Sequence, residues 1–185
     1  MAKTNSVIQF NAKLSRPGGA DKGAPWLFLR LPEDASKQLP TRSMVSIEGI
    51  FNGKPFQATL EPDGEGGHWL RVQPKLRQIV GAEVGEVAEL EIGLVTKEPE
   101  PEVPEDLQAA LDSAPAKAME TWLSTTPLAR RDWIYWITTG KKAETRSKRI
   151  DVAISKMSAG SRRPCCFDRS GMYDKSLSCP IADET

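Results

Sequence analysis

Apolar and polar residues alternate with a period of two in the first half of the chain. From Ile8 to Leu14 every second residue is apolar, which predicts a strand with one buried face, because successive side chains of a strand point to opposite sides. The segments Met44 to Phe51 and Pro55 to Leu60 flank Asn52-Gly53. Asn-Gly favours a two-residue hairpin turn because both residues tolerate positive φ angles. The two segments are therefore predicted to pair as a β-hairpin.

Further strands and two brief helices complete the predicted organisation of residues 1–96. The other strands are predicted at Trp26 to Leu31, His68 to Gln73 and about Val87 to Val95, and the helices directly after Pro32 and from Pro74 to about Val80. Six short strands with two helical insertions are typical of a small closed β-barrel rather than an open parallel sheet.

The period changes after residues 97–104, whose sequence is KEPEPEVP. Alternating prolines and repelling acids make this segment an extended linker and a domain boundary. Residues 105–160 then show helical patterning with caps such as Thr126-Pro127, and they predict an all-α module of three or four helices. Residues 161–185 have little periodicity and are expected to form a cysteine-containing, partly disordered tail. The fold class is thus α+β, a barrel followed by a helical module.

Charge is balanced overall but uneven along the chain. The 185 residues carry 25 basic and 25 acidic side chains, yet the segment from Lys141 to Arg163 holds eight bases and two acids. This segment is a basic patch that a neutral total conceals. No apolar run is long enough to span a bilayer, and the N-terminal residues show no signal-peptide pattern. We therefore expect a cytoplasmic protein without membrane insertion.

Arginines and tryptophans of the helical module are the candidate ligand-binding set. Arginine forks suit phosphate or carboxylate groups, and neighbouring aromatic rings add stacking. Two other interpretations stay open. The arginines can form a solvated helix face with local ion pairs, and the tryptophans can be packing residues of a small core. The set comprises Arg130, Arg131, Trp133, Trp136, Arg146 and Arg149.

All three cysteines fall in the last 21 residues, and two of them are adjacent. Nearby arginines could lower a thiol pKa, so Cys165 and Cys166 are a candidate redox-sensitive site, with unreactive thiols as the alternative. Their spacing does not suit zinc, and we expect no metal and no cofactor. The single histidine, His68, lacks a nucleophile motif and is interpreted as structural or exposed. No catalytic residues are assigned.

The motif TPLARRDWIYWI, which contains Arg130, Arg131, Trp133 and Trp136, is followed by a second motif, KAETRSKRI, which begins at Lys142. Together they resemble the helical module of the bacteriocin-protection, YdeI/OmpD-associated family, although Gly140-Lys141-Lys142 stands where the family often has Ala-Lys. The first 96 residues are similar to the small β-barrel domain of unknown function that is often fused ahead of that module. The resemblance implies a bacterial protein with a barrel and helices, implies no known reaction, and suggests a role in stress or antimicrobial resistance.

Three classes of function follow from these patterns. The first is a non-enzymatic binding or interaction protein, with a protein partner or a small anionic ligand, and a homodimer is one form it could take. The second is an enzyme with a site in a cleft between barrel and helices. The third is nucleic-acid binding through the basic C-terminal helix, which the near-neutral charge disfavours.

Overall fold

The computed structural model describes residues 6–164, 167–172 and 177–184. It divides into two compact units, which we call the barrel unit (Met1–Thr96 with Asp168–Thr185) and the helical unit (Lys97–Phe167). The α+β fold class predicted from the sequence is confirmed, with strands in the first unit and most helices in the second. Within the described residues, no helix is both long and apolar enough to cross a membrane.

Six antiparallel strands make a nearly closed barrel in the described part of the chain. They are ordered β1-β6-β3-β4-β5-β2, so that β1 and β2 are the two ends of the sheet. These ends meet at one point, where Ser15 and Phe28 exchange two backbone hydrogen bonds of 2.9 and 3.0 Å. The strands are β1 (Ile8–Lys13), β2 (Leu27–Arg30), β3 (Val45–Phe51), β4 (Lys54–Pro62), β5 (His68–Val72) and β6 (Val87–Leu94), and the short helices α1 (Glu33–Lys37) and α2 (Pro74–Val80) lie between them.

Local turn chemistry and one close backbone approach hold the register of the barrel strands. Asn52 and Gly53 take φ angles of 48° and 76°, and Phe51 pairs with Lys54 across them, as the predicted hairpin requires. In β3, Gly49 pairs with Ile92 of β6. A Cβ atom on Gly49 would lie 1.9 Å from the carbonyl oxygen of Glu91, so only glycine lets these strands approach so closely.

Apolar side chains from every strand fill the barrel. The alternating residues of β1 point inward, and they meet large buried side chains of the neighbouring strands, among them Leu29, Ile47, Phe51, Leu60, Val72, Leu90 and Ile92. Phe51 and Phe56 pack edge to face with ring centroids 5.5 Å apart, a favourable aromatic geometry.

Within the described residues, the helical unit consists of α3 (Glu105–Asp112), α4 (Ala116–Ser124), α5 (Pro127–Thr138) and α6 (Ala143–Ser158). Helix α5 begins where the sequence predicts it, because the Thr126 hydroxyl accepts a hydrogen bond from the Ala129 amide and Pro127 occupies the first turn. Short helices need a shared core, and here that core contains Leu107, Leu111, Trp122, Trp133, Ile137 and Met157.

After the helical unit the chain joins the barrel unit again. Ala182 forms a bridge with Pro17, the Gly18 amide donates to the Ile181 carbonyl at 2.7 Å, and the Asp183 amide donates to the Arg16 carbonyl at 2.9 Å. Leu177 is 3% exposed. The sequence predicts a separate tail over residues 161–185, whereas residues 168–185 belong to the compact barrel unit in the structure.

Candidate functional site

The predicted ligand-binding arginines of the helical unit contact acceptors of their own unit. Arg130 donates through Nε to the Trp122 carbonyl at 3.2 Å and through Nη2 to the Thr125 carbonyl at 2.7 Å. It also forms an ion pair with Glu100. Arg130 therefore caps the C-terminal end of α4, where helix carbonyls otherwise lack partners.

Arg149 has the same role at α5. Its Nη1 donates to the Trp136 carbonyl at 2.5 Å and to the Thr139 hydroxyl at 2.8 Å, and its guanidinium lies 5.4 Å from the centre of the Trp136 ring. Since Arg130 belongs to the first turn of α5 and Arg149 caps its last turn, the two bind at opposite ends of a helix of 12 residues, about 18 Å long.

The remaining members of the predicted set also have partners in the helical unit. Arg131 lies 2.6 Å from Glu98. Arg146 forms two hydrogen bonds to Asp106, of 2.5 and 3.0 Å, and these lower the pKa of the Asp106 carboxyl. The buried Trp133 donates its indole N–H to the Arg162 carbonyl at 3.1 Å and packs edge to face on Trp136. The structure does not gather the six side chains into one cleft, and their role in ligand binding stays a prediction.

The predicted redox-sensitive thiols, Cys165 and Cys166, lie outside the described residues. The third cysteine, Cys179, packs beside the aromatic cluster of the barrel unit. Burial raises the pKa of its thiol to about 12, so the sulfur stays protonated at neutral pH and is a poor nucleophile.

His68 is a buried residue of β5, 1% exposed. Its Nε2 lies 3.1 Å from the Ser43 carbonyl, so this nitrogen carries the proton and donates. Burial lowers the pKa of the imidazole. A neutral histidine that is closed off from solvent has a structural role here, and it is not placed to exchange protons with a ligand.

A groove of about 510 Å³ lies on the outer surface of the barrel unit. It lies beside the point where β1 and β2 meet, and the segment 178–182 forms its opposite wall. Lys13 and Arg30 supply positive charge, and hydroxyl groups of Ser15 and Ser178 lie beside apolar surface. The lining residues are Lys13, Ser15, Phe28, Arg30, Asp63, Glu65, Ser178, Cys179, Pro180, Ile181 and Ala182.

Two carboxylates meet Arg30 inside this groove. Its Nη2 lies 2.9 Å from Asp63 Oδ2 and 2.5 Å from Glu65 Oε2. Asp63 Oδ1 accepts the backbone amides of Glu65 and Gly67, both at 2.8 Å. Burial by itself would raise the pKa of the Asp63 carboxyl, but these hydrogen bonds outweigh it and the net pKa is lowered. Asp63 is therefore an ionised group that orients Arg30.

An aromatic cluster supports the floor of the groove. Phe28, which lines the groove, packs edge to face on Trp69, and Trp26 lies 6.2 Å from Trp69. Arg71 stacks over the rings of Trp26 and Trp69 at 4.5 and 5.2 Å and pairs with Glu61. Trp69 is the centre of this cluster, since it contacts Phe28, Trp26 and Arg71, and such aromatic and cation–π contacts stabilise the floor.

The sites predicted from the sequence do not include this groove, although one feature of the sequence is consistent with it. The segment from Trp26 to Leu31 is almost uninterruptedly apolar, and such a strand must be covered on both faces. The inner face lies in the barrel core, while Trp26 and Phe28 pack outside it against Trp69 and Cys179. The second covering layer is the C-terminal segment that forms the groove wall.

The described residues contain no group of three or more histidine, cysteine or acidic side chains arranged to hold a metal ion.

Comparison with known families matches both units of the chain. Residues 100–160 match the family described as Bacteriocin-protection, YdeI or OmpD-Associated, and residues 10–92 match a domain of unknown function, DUF1905. The order of the two matches is the one that the sequence motifs suggest. None of the curated proteins matches the chain. The groove residues from Lys13 to Glu65 fall within the second match, whereas its opposite wall, residues 178–182, lies beyond both.

Proposed function

We propose that this chain, in which residues 10–92 match DUF1905 and residues 100–160 match the bacteriocin-protection, YdeI/OmpD-associated family, is a non-enzymatic protein that binds a small anion. The site is the groove of the barrel unit. Neither family description names a reaction. The word bacteriocin in the first description supports a role in tolerance of antimicrobial compounds, and the free thiol of Cys179 suits a reducing cytoplasm.

The observation that carries this proposal is the convergence of Lys13 and Arg30 on one groove. Among the described residues, Lys13 forms no ion pair, so its ammonium group is available to a ligand. Arg30 is oriented by the buried Asp63, which reduces the entropy lost when a ligand binds to it. Side-chain hydroxyls and an apolar floor complete a site of the usual mixed character.

The protonation states of Cys179 and His68 favour binding over catalysis. Cys179, which lines the groove, is held as a protonated thiol, and His68 is buried and neutral. A nucleophile needs an adjacent base or a lowered pKa, and the groove provides neither for Cys179. The charged side chains of the groove are instead suited to binding an anion.

The helical unit supports nucleic-acid binding less well than its basic sequence suggests. Arg130, Arg146 and Arg149 are bound to carbonyls or carboxylates of their own unit, and Lys148 pairs with Glu144. Cations that are already paired release few counterions from a phosphate backbone. Within the basic patch, Arg146 and Arg149 are therefore better explained as structural contacts of the unit.

The proposal is tested by titrating the full-length, isotope-labelled protein with acetate, N-acetyl-leucinate and inorganic phosphate while amide NMR signals are recorded. We expect at least one anion to shift signals of β1, β2 and residues 178–182, and the variant Arg30→Gln to lose the response. Arg77→Gln is the matched control, because Arg77 is also a barrel arginine paired with an exposed glutamate. Shifts confined to α5 and α6, or no shifts with any anion, would contradict the proposal.

A further inference from the structure

We infer that the groove binds the carboxylate of a small amphipathic monoanion, and that this carboxylate takes the place of Glu65 on Arg30. The inference rests on the proposed function and specifies the ligand class and the residue that competes with it. It is carried by the unequal surroundings of the two carboxylates that Arg30 contacts.

Asp63 and Glu65 are held with very different strength. The Asp63 side chain is 5% exposed and is fixed by two backbone amides as well as by Arg30. The Glu65 side chain is 74% exposed, and within the described residues its carboxylate contacts Arg30 alone. Exposed ion pairs contribute little stability, because solvent screens them and the side chain loses rotamer freedom. Glu65 can therefore leave Arg30 at small cost, whereas Asp63 cannot.

The movement needed is confined to one side chain. The Glu65 amide donates to Asp63 Oδ1 at 2.8 Å, which anchors the main chain of the loop while the side chain turns toward solvent. The position that it vacates lies beside Arg30, where the Glu65 carboxylate oxygen Oε2 is 2.5 Å from Nη2 of Arg30. A ligand carboxylate of the same size and charge fits that position.

Charge and surface select the class of ligand. Once Glu65 has turned away, the charged groups that line the groove are the cations Lys13 and Arg30 and the anion Asp63, which leaves one positive charge and matches a monoanion better than a dianionic phosphate. The same groove presents Phe28, Pro180 and Ile181, which favour an apolar group next to the carboxylate. A carboxylate with a short aliphatic chain meets both conditions.

The test compares N-acetyl-leucinate with its uncharged counterpart N-acetyl-leucinamide, using calorimetric titration of the full-length protein. We expect the acid to bind and the amide not to bind. Glu65→Gln should bind the acid about two- to fivefold more tightly, since a weak exposed pair no longer competes. Glu65→Asp should also bind more tightly, because it keeps the charge but shortens the arm that reaches Arg30. Glu83→Gln, which removes a similarly exposed barrel glutamate from its arginine, should bind like the wild type.

The outcomes distinguish the displacement of Glu65 from anion binding by the groove. If the acid binds and Arg30→Gln abolishes binding, but Glu65→Asp and Glu65→Gln leave the affinity unchanged, the displacement of Glu65 is wrong and the anion groove stands. If Glu65→Gln binds the acid more tightly but Glu65→Asp does not, the effect comes from the loss of a negative charge in general. That result also overturns the displacement of Glu65 from Arg30. Equal binding of inorganic phosphate overturns the monoanion class. If no anion binds to the wild type or to either Glu65 variant, the groove function itself is wrong.

Discussion

The chemical character of single side chains in the barrel unit is determined by burial. His68 and Cys179 belong to residue types that often react, but both are held in their neutral forms. Arg30 and Asp63 remain charged because each supplies a partner to the other. A residue type in a sequence therefore says little about reactivity until its surroundings are known. The sequence predicts His68 to be structural or exposed because no nucleophile motif accompanies it, and burial in β5 decides between the two.

The buried His68 should make the stability of the barrel unit depend on pH. In the unfolded chain a histidine titrates near its ordinary pKa of about 6.5, whereas burial lowers the pKa in the folded protein. Below about pH 6.5 the unfolded state binds more protons than the folded state, so the free energy of unfolding falls as the pH drops toward the folded pKa. Above about pH 6.5 His68 is neutral in both states and no longer changes the free energy of unfolding. Urea unfolding at several pH values, monitored through hydrogen exchange of the barrel amides, measures how the free energy of unfolding changes with pH.

The variant His68→Gln provides the control for the pH dependence. It removes the titrating group and retains hydrogen-bonding capacity, so the part of the slope that His68 causes should disappear. An unchanged slope between pH 7 and pH 5 in this variant would assign the effect to carboxylates instead, because protonation of paired acids also destabilises folded proteins.

At the scale of elements, local turn and capping chemistry predicts much of the fold. Asn52-Gly53 predicts the β3–β4 hairpin, and Thr126-Pro127 predicts the start of α5. The contacts that create the groove have no such local signal. Arg30 and Asp63 are 33 residues apart, and the segment 178–182 has no alternation that marks it as a partner of the barrel. Such long-range pairings depend on tertiary structure rather than on propensity.

Two glycines in neighbouring strands should respond differently to the same substitution. Gly49→Ala places a Cβ atom 1.9 Å from the Glu91 carbonyl oxygen, which the backbone of β6 cannot avoid without moving. We expect a loss of about 1–3 kcal/mol, typical of overpacking. Gly93→Ala is the matched control, because it lies in β6 opposite Glu48 and its added Cβ would meet no atom within 4 Å.

Denaturant titrations of the two variants decide the point. The midpoint should fall for Gly49→Ala with an unchanged slope, since only stability changes, while Gly93→Ala should stay close to the wild type. Equal midpoints would show that β3 and β6 do not approach as closely as described.

At the scale of the whole molecule, the barrel unit is built from two separate stretches of the chain. The helical unit lies between them in sequence, and residues 168–185 rejoin the barrel. The family matches end at residues 92 and 160, so they do not reveal this return. The domain boundaries expected from composition place the linker at 97–104 but give no sign that the barrel needs a second segment.

The return of the chain should be visible in the stability of the barrel unit. The Leu177 side chain is buried, with the residue 3% exposed, and its carbonyl oxygen lies beside Gly64 of the barrel, so Leu177→Ala should cost about 2–5 kcal/mol, as for other buried leucines. Ile181→Ala, at a site that is 77% exposed, should change stability by less than about 0.5 kcal/mol. Residue-resolved hydrogen exchange should show the loss in barrel amides and leave α3 to α6 unchanged; a loss in the helices instead would contradict the division into units.

The groove wall formed by residues 178–182 has a consequence for synthesis of the protein. During translation the six strands emerge first, and the helical unit must leave the ribosome before the wall can be added, since proteins are made from the N-terminus onward. A product that stops anywhere within the helical unit carries a barrel with one side of the groove missing. If the groove binds an anion as we propose, shortened products should be unable to compete for the ligand.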